Sequence, residues 1–202
     1  MCAKWTSPLF TDMRNKIADS VVFSRWKGRG YFRSWVKPAN PRTNAQKAHR
    51  AVLANLVKRF QEITATAGVK SAWNARALEY LISGYNLFVK WGRSSYVKAE
   101  PGTSSGKLKI TYKCGIPLSE ARIYTYNATE GWADDTPTEG LQSGENTIEI
   151  TKTAGETYEV FLATKNVLKE GDSSPQFYQA ITKWYPNTET GEAVEAKATT
   201  PS

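Results

Sequence analysis

Apolar positions change their period along this chain, and each change marks a predicted element. Residues 20–26 (SVVFSRW) and 31–37 (YFRSWVK) are β-branched and aromatic runs on either side of Lys27-Gly28-Arg29-Gly30. Two glycines between such runs permit the positive φ of a tight turn, so residues 20–37 are predicted to form a β-hairpin. In the first strand Val22, Ser24 and Trp26 alternate with Val21, Phe23 and Arg25. Both sets are mixed, so the pattern leaves the buried face open.

Residues 38–42 (PANPR) cannot be helical, because each proline removes a donor and pushes the residue before it to extended geometry. Thr43 then stands three residues before Gln46, the spacing of a capping box. From there Ala45, Ala48, Val52, Leu53, Leu56, Val57, Phe60 and Ile63 recur at helical spacing. The pattern predicts a helix over 44–64, with Lys47, Arg50, Lys58 and Arg59 on its opposite face and Gly68 beyond its end. A second helix is predicted over 69–82, with Ala72, Trp73, Arg76, Ala77, Tyr80 and Leu81 on one stripe. After Ser83-Gly84, a short helix or turn over 85–91 brings Leu87, Phe88 and Trp91.

The period then drops to two. Residues 107–112 (KLKITY) alternate without a break, and 121–126, 146–151, 157–164 and 176–185 read as further strands. Gly131, Gly140, Gly144, Gly155 and Gly171 fall in the turns between them. Short strands at this spacing predict a small sandwich of immunoglobulin or fibronectin type, without the Cys…Trp…Cys pattern of true immunoglobulin domains. The expected fold class is therefore α+β, an N-terminal β-hairpin plus helices followed by a β-sandwich.

Residues 94–106 (SSYVKAEPGTSSG) are small, polar and glycine-rich, the composition of a linker. Charge shifts at the same place. Residues 1–98 hold 18 Lys and Arg against 4 Asp and Glu, and residues 99–202 hold 9 against 15. The expected organisation is a basic docking domain at 1–98, a linker at 99–106, a sandwich domain at 107–186 and a flexible tail at 187–202, which carries no aromatic residue.

The whole chain of 202 residues carries a net charge of +8, and 40% of it is hydrophobic, enough for a core. One histidine and two cysteines (Cys2, His49, Cys114) fall short of the four ligands of a structural zinc site. No apolar run is long enough to span a bilayer, and the first twenty residues lack the apolar region of a secretory signal. No cofactor, metal or membrane partner is expected.

Catalytic constellations are scarce. His49 lies on the first helix beside Arg50, off the apolar stripe, and reads as a surface or packing residue. Cys114 at a strand end reads as a small core residue, and Cys2 as a terminal thiol. Glu130, Asp134, Asp135 and Glu139 share one loop without EF-hand spacing, and solvated loop acids are the plainer reading. Lys27-Gly28-Arg29-Gly30 is too short for a P-loop. No catalytic role is expected of any of these residues.

The basic segment is more informative. Ten Lys and Arg fall in residues 14–50 against a single acid, Asp19, with five aromatics interleaved. Basic side chains beside stacking aromatics serve single-stranded nucleic acid sites, and they equally serve protein interfaces. The candidate partner-binding or nucleic-acid-binding residues are Arg25, Trp26, Lys27, Arg29, Arg33, Trp35, Lys37, Arg42 and Arg50. In the second half, Trp132 and Trp184 make a carbohydrate-binding or adhesive surface a weaker third reading.

Several separated motifs recur here in one order: Val21-Val22-Phe23, Trp26-x-Gly28, Arg33-x-x-x-Lys37, Asn40-Pro41-Arg42-Thr43-x-x-Gln46-x-x-x-Arg50, Ala72-Trp73-Asn74 and Ser83-Gly84-Tyr85-Asn86-x-Phe88. Together they resemble a family of small proteins from tailed bacteriophages, over roughly residues 17–92. The family pattern often has glycines ahead of the hairpin, where this chain has Ala18-Asp19-Ser20. The resemblance implies a non-enzymatic virion structural protein. A decoration, auxiliary capsid or head–tail connector component is expected, in a homo-oligomeric or multi-copy assembly with capsid or other virion proteins. The alternative is a nucleic-acid-binding protein that coats or organises viral DNA.

Overall fold

The computed structural model describes residues 2–4, 15–17, 21–26, 29–36, 42–165, 167 and 175–202. It is a mixed helical and antiparallel-sheet protein, and the chain divides into two compact units, Met1–Pro41 and Arg42–Ser202.

The first unit is a four-stranded sheet. Strands β1 (Cys2–Lys4), β2 (Asn15–Ile17), β3 (Val21–Trp26) and β4 (Arg29–Ser34) lie in the order β1-β4-β3-β2. The predicted hairpin is β3–β4, with register from Val21↔Ser34 to Trp26↔Arg29. Its second strand starts two residues earlier than predicted and ends before Trp35. The flanking strands are three residues each, too short for alternation to announce them.

The second unit opens with helices α1 (Asn44–Thr64), α2 (Val69–Ala77), a 3₁₀ turn at Leu78–Tyr80, and α3 (Gly84–Ser94). Thr43 caps α1, its Oγ1 accepting from the Gln46 N–H at 3.4 Å. Ala48, Val52, Leu56, Phe60 and Ile63 bury the expected stripe. Arg59 corrects the expectation of a polar face. It sits three residues after Leu56 and four before Ile63, and it is only 6% exposed.

Eight of the strands that follow form two main sheets. The first is β5-β6-β9, from β5 (Tyr96–Pro101), β6 (Lys107–Lys113) and β9 (Glu145–Thr151). The second runs β11-β10-β7-β8, from β7 (Ala121–Asn127), β8 (Gly131–Asp134), β10 (Thr157–Thr164) and β11 (Ala180–Thr182). One edge of β10 is shared. Its later half pairs with β11, and its first three residues pair with β14 (Lys197–Thr199). Between β11 and β14 the chain makes the hairpin of β12 (Trp184–Asn187) and β13 (Glu192–Glu195). Helix α1 lies against that hairpin.

Three expectations are corrected. Residues 94–106 are not a linker: β5 pairs with β6 from Tyr96↔Lys113 to Pro101↔Leu108. The glycines there make a hairpin turn, in which the Gly102 N–H donates to the Lys107 carbonyl at 2.9 Å. A Cβ on Gly102 would stand 2.4 Å from the Lys107 Cβ, so only glycine fits. Residues 187–202 are not a tail, since they complete β12 and supply β13 and β14. The strand predicted over 176–185 begins as a helical turn, α4 (Pro175–Gln179).

Helices and strands share one core. Leu56, Trp73, Phe88 and Trp91 belong to the same buried cluster as Leu108, Ile110, Tyr112, Ile123, Val160 and Leu162. Gly92 fixes how closely the layers meet, because a Cβ there would lie 2.5 Å from Leu56 Cδ2 and 3.1 Å from Ile181 Cγ2. The chain therefore divides after Pro41, not near residue 100.

Tyr158, near the start of β10, is fully buried as a ring but polar at its tip. Its hydroxyl accepts from the Thr153 N–H at 3.2 Å and donates to Glu130 at 2.8 Å. The ring and its tip thus hold the turn into β10 against the β7–β8 turn.

Candidate functional site

The sequence-predicted binding residues fall in both units. In the first, Arg25 pairs with Gly30 and Trp26 with Arg29 across the hairpin, which places these three candidates at its turn end. Arg33 is exposed opposite Val22, and Trp35 is half-buried just past β4. Lys27 and Lys37 lie outside the described residues. In the second unit, Arg42 and Arg50 are exposed, Arg42 just ahead of α1 and Arg50 on it. Arg42 takes a positive φ of 46°, a left-handed conformation uncommon for a residue with a Cβ.

Cys114, Glu130, Asp134 and Asp135, considered above for chemistry, have structural partners. The Cys114 Sγ donates to the Ile116 carbonyl at 3.4 Å, and burial pushes its thiol up, away from the reactive thiolate. The loop acids are dispersed among separate bonds. Asp135 pairs with Lys152 at 2.7 Å, and Asp134 accepts from the Thr136 N–H at 3.0 Å. Hydrogen bonds from Thr153 and then Tyr158 hold the Glu130 carboxyl below its usual range. His49 is exposed on α1. Among the described residues, no three His, Cys, Asp or Glu side chains gather as a metal site, and no helix is long and apolar enough to cross a membrane.

Among the described residues, a concavity lies on the outer face of the β7–β10 sheet. Its floor comes from the pleat of β10, which buries both faces towards its end. Tyr158, Val160 and Leu162 turn into the main core, while Phe161 and Ala163 join Tyr124 and Ala180 in a second small cluster. Burial pushes the Tyr124 hydroxyl up to about 12. Trp132 of β8 packs on this cluster, 4.9 Å from the Phe161 ring and 5.1 Å from Tyr126. Phe177 of α4 stands edge-on at 6.2 Å.

Arg59 ties α1 to this wall. Its Nη2 donates to the Phe177 carbonyl at 2.7 Å, and its guanidinium lies 4.2 Å above the Phe177 ring. Burial lowers its pKa from the ordinary arginine value, while Glu62 at 3.4 Å works the other way. Its Nε is buried without a partner. Lys183 lies 5.6 Å from the Phe161 ring and bridges Glu159 at 2.9 Å and Glu195 at 3.4 Å. Together these residues line a cleft of about 410 Å³, within the size range of small-molecule sites.

The cleft offers ring faces rimmed by cations and carboxylates that are already paired, a surface for recognition. The sequence singled out Trp132 and Trp184, and both line it, Trp184 being mostly buried. Arg59, Phe161 and Phe177 were missed. They come from α1, β10 and α4, elements more than a hundred residues apart at the extremes, and only the fold brings them together.

No family model, curated protein or solved structure matches this chain.

Proposed function

We propose that this chain is a non-catalytic structural component of a tailed-phage particle. In this reading the Met1–Pro41 unit docks onto an acidic surface of the particle, and the Arg42–Ser202 unit is the body it carries. One observation carries the proposal. Where the chain divides, charge divides too: residues 1–41 hold 8 Lys and Arg against 2 Asp and Glu, while residues 42–202 hold 19 against 17. A small, strongly basic sheet joined to a nearly balanced body is suited to electrostatic attachment. The motif resemblance over residues 17–92 supports a virion part such as a decoration, auxiliary capsid or connector protein.

We further propose that the strands of the body form a fibronectin-like sandwich. Counted from β5, the first, second and fifth strands make one sheet, and the third, sixth and last belong to the other, as in immunoglobulin-type folds. The fourth, β8, pairs with β7. The bond from the Thr153 N–H to the Tyr158 hydroxyl has the form of the tyrosine corner of that class. Such modules serve assembly surfaces widely, which supports a structural role by analogy.

The second reading, binding of viral DNA, rests on Arg33 and the hairpin cations. The experiment separates the two. The full chain and a variant with Arg25, Lys27, Arg29 and Arg33 changed to Gln are tested against virions emptied of DNA and against duplex DNA. Docking on protein predicts that the variant loses attachment to particles, while wild-type DNA binding stays weak. Tight DNA binding would decide for the second reading, with log K falling against log salt by about 0.9 per phosphate contact and a flatter slope in the variant.

A further inference from the structure

The geometry points to a saccharide-binding site in the cleft of Tyr126, Trp132 and Phe177, taking a neutral oligosaccharide. This goes beyond the structural role proposed above and does not depend on it.

Charge disfavours ionic ligands of either sign. The aromatic faces at the back of the cleft already carry cations, Arg59 over Phe177 and Lys183 near Phe161. A cationic ligand side chain entering the cleft would meet both. An anionic ligand would meet Glu62, Glu159 and Glu195. Lys183 is held between two of these carboxylates, and Lys197 lies 3.8 Å from Glu159, so little charge is left over to attract an ion of either sign. What remains is exposed ring surface with hydrogen-bonding groups around it. Tyr126 is 36% exposed, and Trp132 is half-buried beside it.

A sugar ring fits those terms. One face of a pyranose is lined with C–H groups and lies on an aromatic ring. Its hydroxyls both donate and accept, so they bond to carboxylates and ammonium groups without disturbing their pairing. The site also continues. A second hollow of about 250 Å³ adjoins the first and shares Tyr126 and Glu159 with it. Asn127, Thr129, Thr157 and Lys197 give that hollow a polar lining. A chain of sugar units can therefore run from the ring platform of Trp132, past Tyr126, into a polar second subsite. An uncharged apolar peptide would find its ring platform only in the first hollow and would desolvate the polar second one without return.

The test uses the full-length protein with cellohexaose, maltohexaose, chitohexaose and mannohexaose, followed by calorimetry and by the indole N–H resonances of the tryptophans. At least one of the four is expected to bind at micromolar to millimolar concentration and to shift the Trp132 indole. Tyr126→Ala and Trp132→Ala are each expected to weaken it tenfold or more. Tyr126 is the decisive variant, because its exposure leaves the fold intact if loss of Trp132 does not. Tyr185→Ala, in a separate hollow beside Tyr96 and Lys98, is expected to change nothing. The proposal is overturned if none of the four sugars binds, if binding survives Tyr126→Ala undiminished, if Tyr185→Ala abolishes it instead, or if an uncharged peptide binds the cleft where the sugars do not.

Discussion

The Asn74 side chain accepts the Gly84 N–H at 2.9 Å, joining the end of one helix to the start of the next. Ser83 accepts from the Asn86 N–H at 3.2 Å in the same turn, so two donors of the first turn of α3 are satisfied by side chains. The approach is so close that a Cβ on Gly84 would lie 2.7 Å from the Asn74 nitrogen and the Trp73 carbonyl carbon. Two motifs ten residues apart in sequence are thus one joint, with Trp73 beneath it in the core. Gly84→Ala is expected to destabilise the protein by about 1–3 kcal/mol through overpacking, and Asn74→Ala by about 1–3 kcal/mol through the unpaired donor. Urea unfolding of both single variants and the double variant checks this, and a double no worse than the worse single shows that they act as a unit.

Gly92 makes a similar claim between layers. Gly92→Ala pushes a methyl group into Leu56 and Ile181 and is expected to cost about 1–3 kcal/mol. Leu56→Val in the same chain should recover part of that loss in thermal unfolding. Additive losses would show that Gly92 is not limited by Leu56.

Leu81 holds a φ of 54° with its side chain 93% exposed. A left-handed conformation burdens every residue with a Cβ, and this one gains no burial in return. Leu81→Gly is expected to raise stability by up to about 1 kcal/mol, read as a higher denaturation midpoint. A loss would mean that the leucine makes contacts that favour it.

Glu130 ties stability to pH. Its carboxyl is held below its usual range by hydrogen bonds from Thr153 and Tyr158, so it binds protons less readily folded than unfolded. Its contribution is complete above the unfolded pKa and is lost as pH falls through the lower, folded value. Glu130→Gln is therefore expected to flatten the acid limb of the stability profile below about pH 4, near the ordinary carboxylate range, and to leave its slope at neutral pH unchanged. Tyr158→Phe, which leaves the Thr153 N–H without its acceptor and Glu130 without one of its donors, should cost about 1–3 kcal/mol at neutral pH and less in acid, where Glu130 is protonated.

Limited proteolysis tests the division of the chain. A persistent product covering residues 42–202 is expected, with residues 94–106 resistant because they form β5 and its hairpin turn. Early cleavage within 94–106 would restore the boundary that the composition implies.

The helical period of α1 and the alternation of β6 were legible because one face of each meets core and the other meets water. Arg59 was hidden by its charge: its spacing from Leu56 and Ile63 placed it on the buried stripe. The run from Pro101 to Gly106 read as a linker because hairpin turns and linkers favour the same residues. The charge step near residue 100 was real, yet it separates a basic helical layer from acidic strands within one core. The cleft was half legible. Trp132 stood out with Trp184 as an aromatic of the strand-rich half, whereas Phe161 lay unremarked within the run that forms β10. Nothing local announced that its side of the pleat would be roofed by α1 and α4.

The shared edge of β10 sets an order of events. Helices α1 to α3 are synthesised well before the hairpin that α1 lies against, residues 184–195, and before the strand that seals β10, which ends at Thr199. Until residues 180–195 have been made, Leu56, Phe60 and their neighbours on α1 have no strand layer to rest on. The part of that apolar surface that α3 leaves uncovered must wait for residues 184–199, and their loss would take the strand layer from α1 as well as the edge partner from β10.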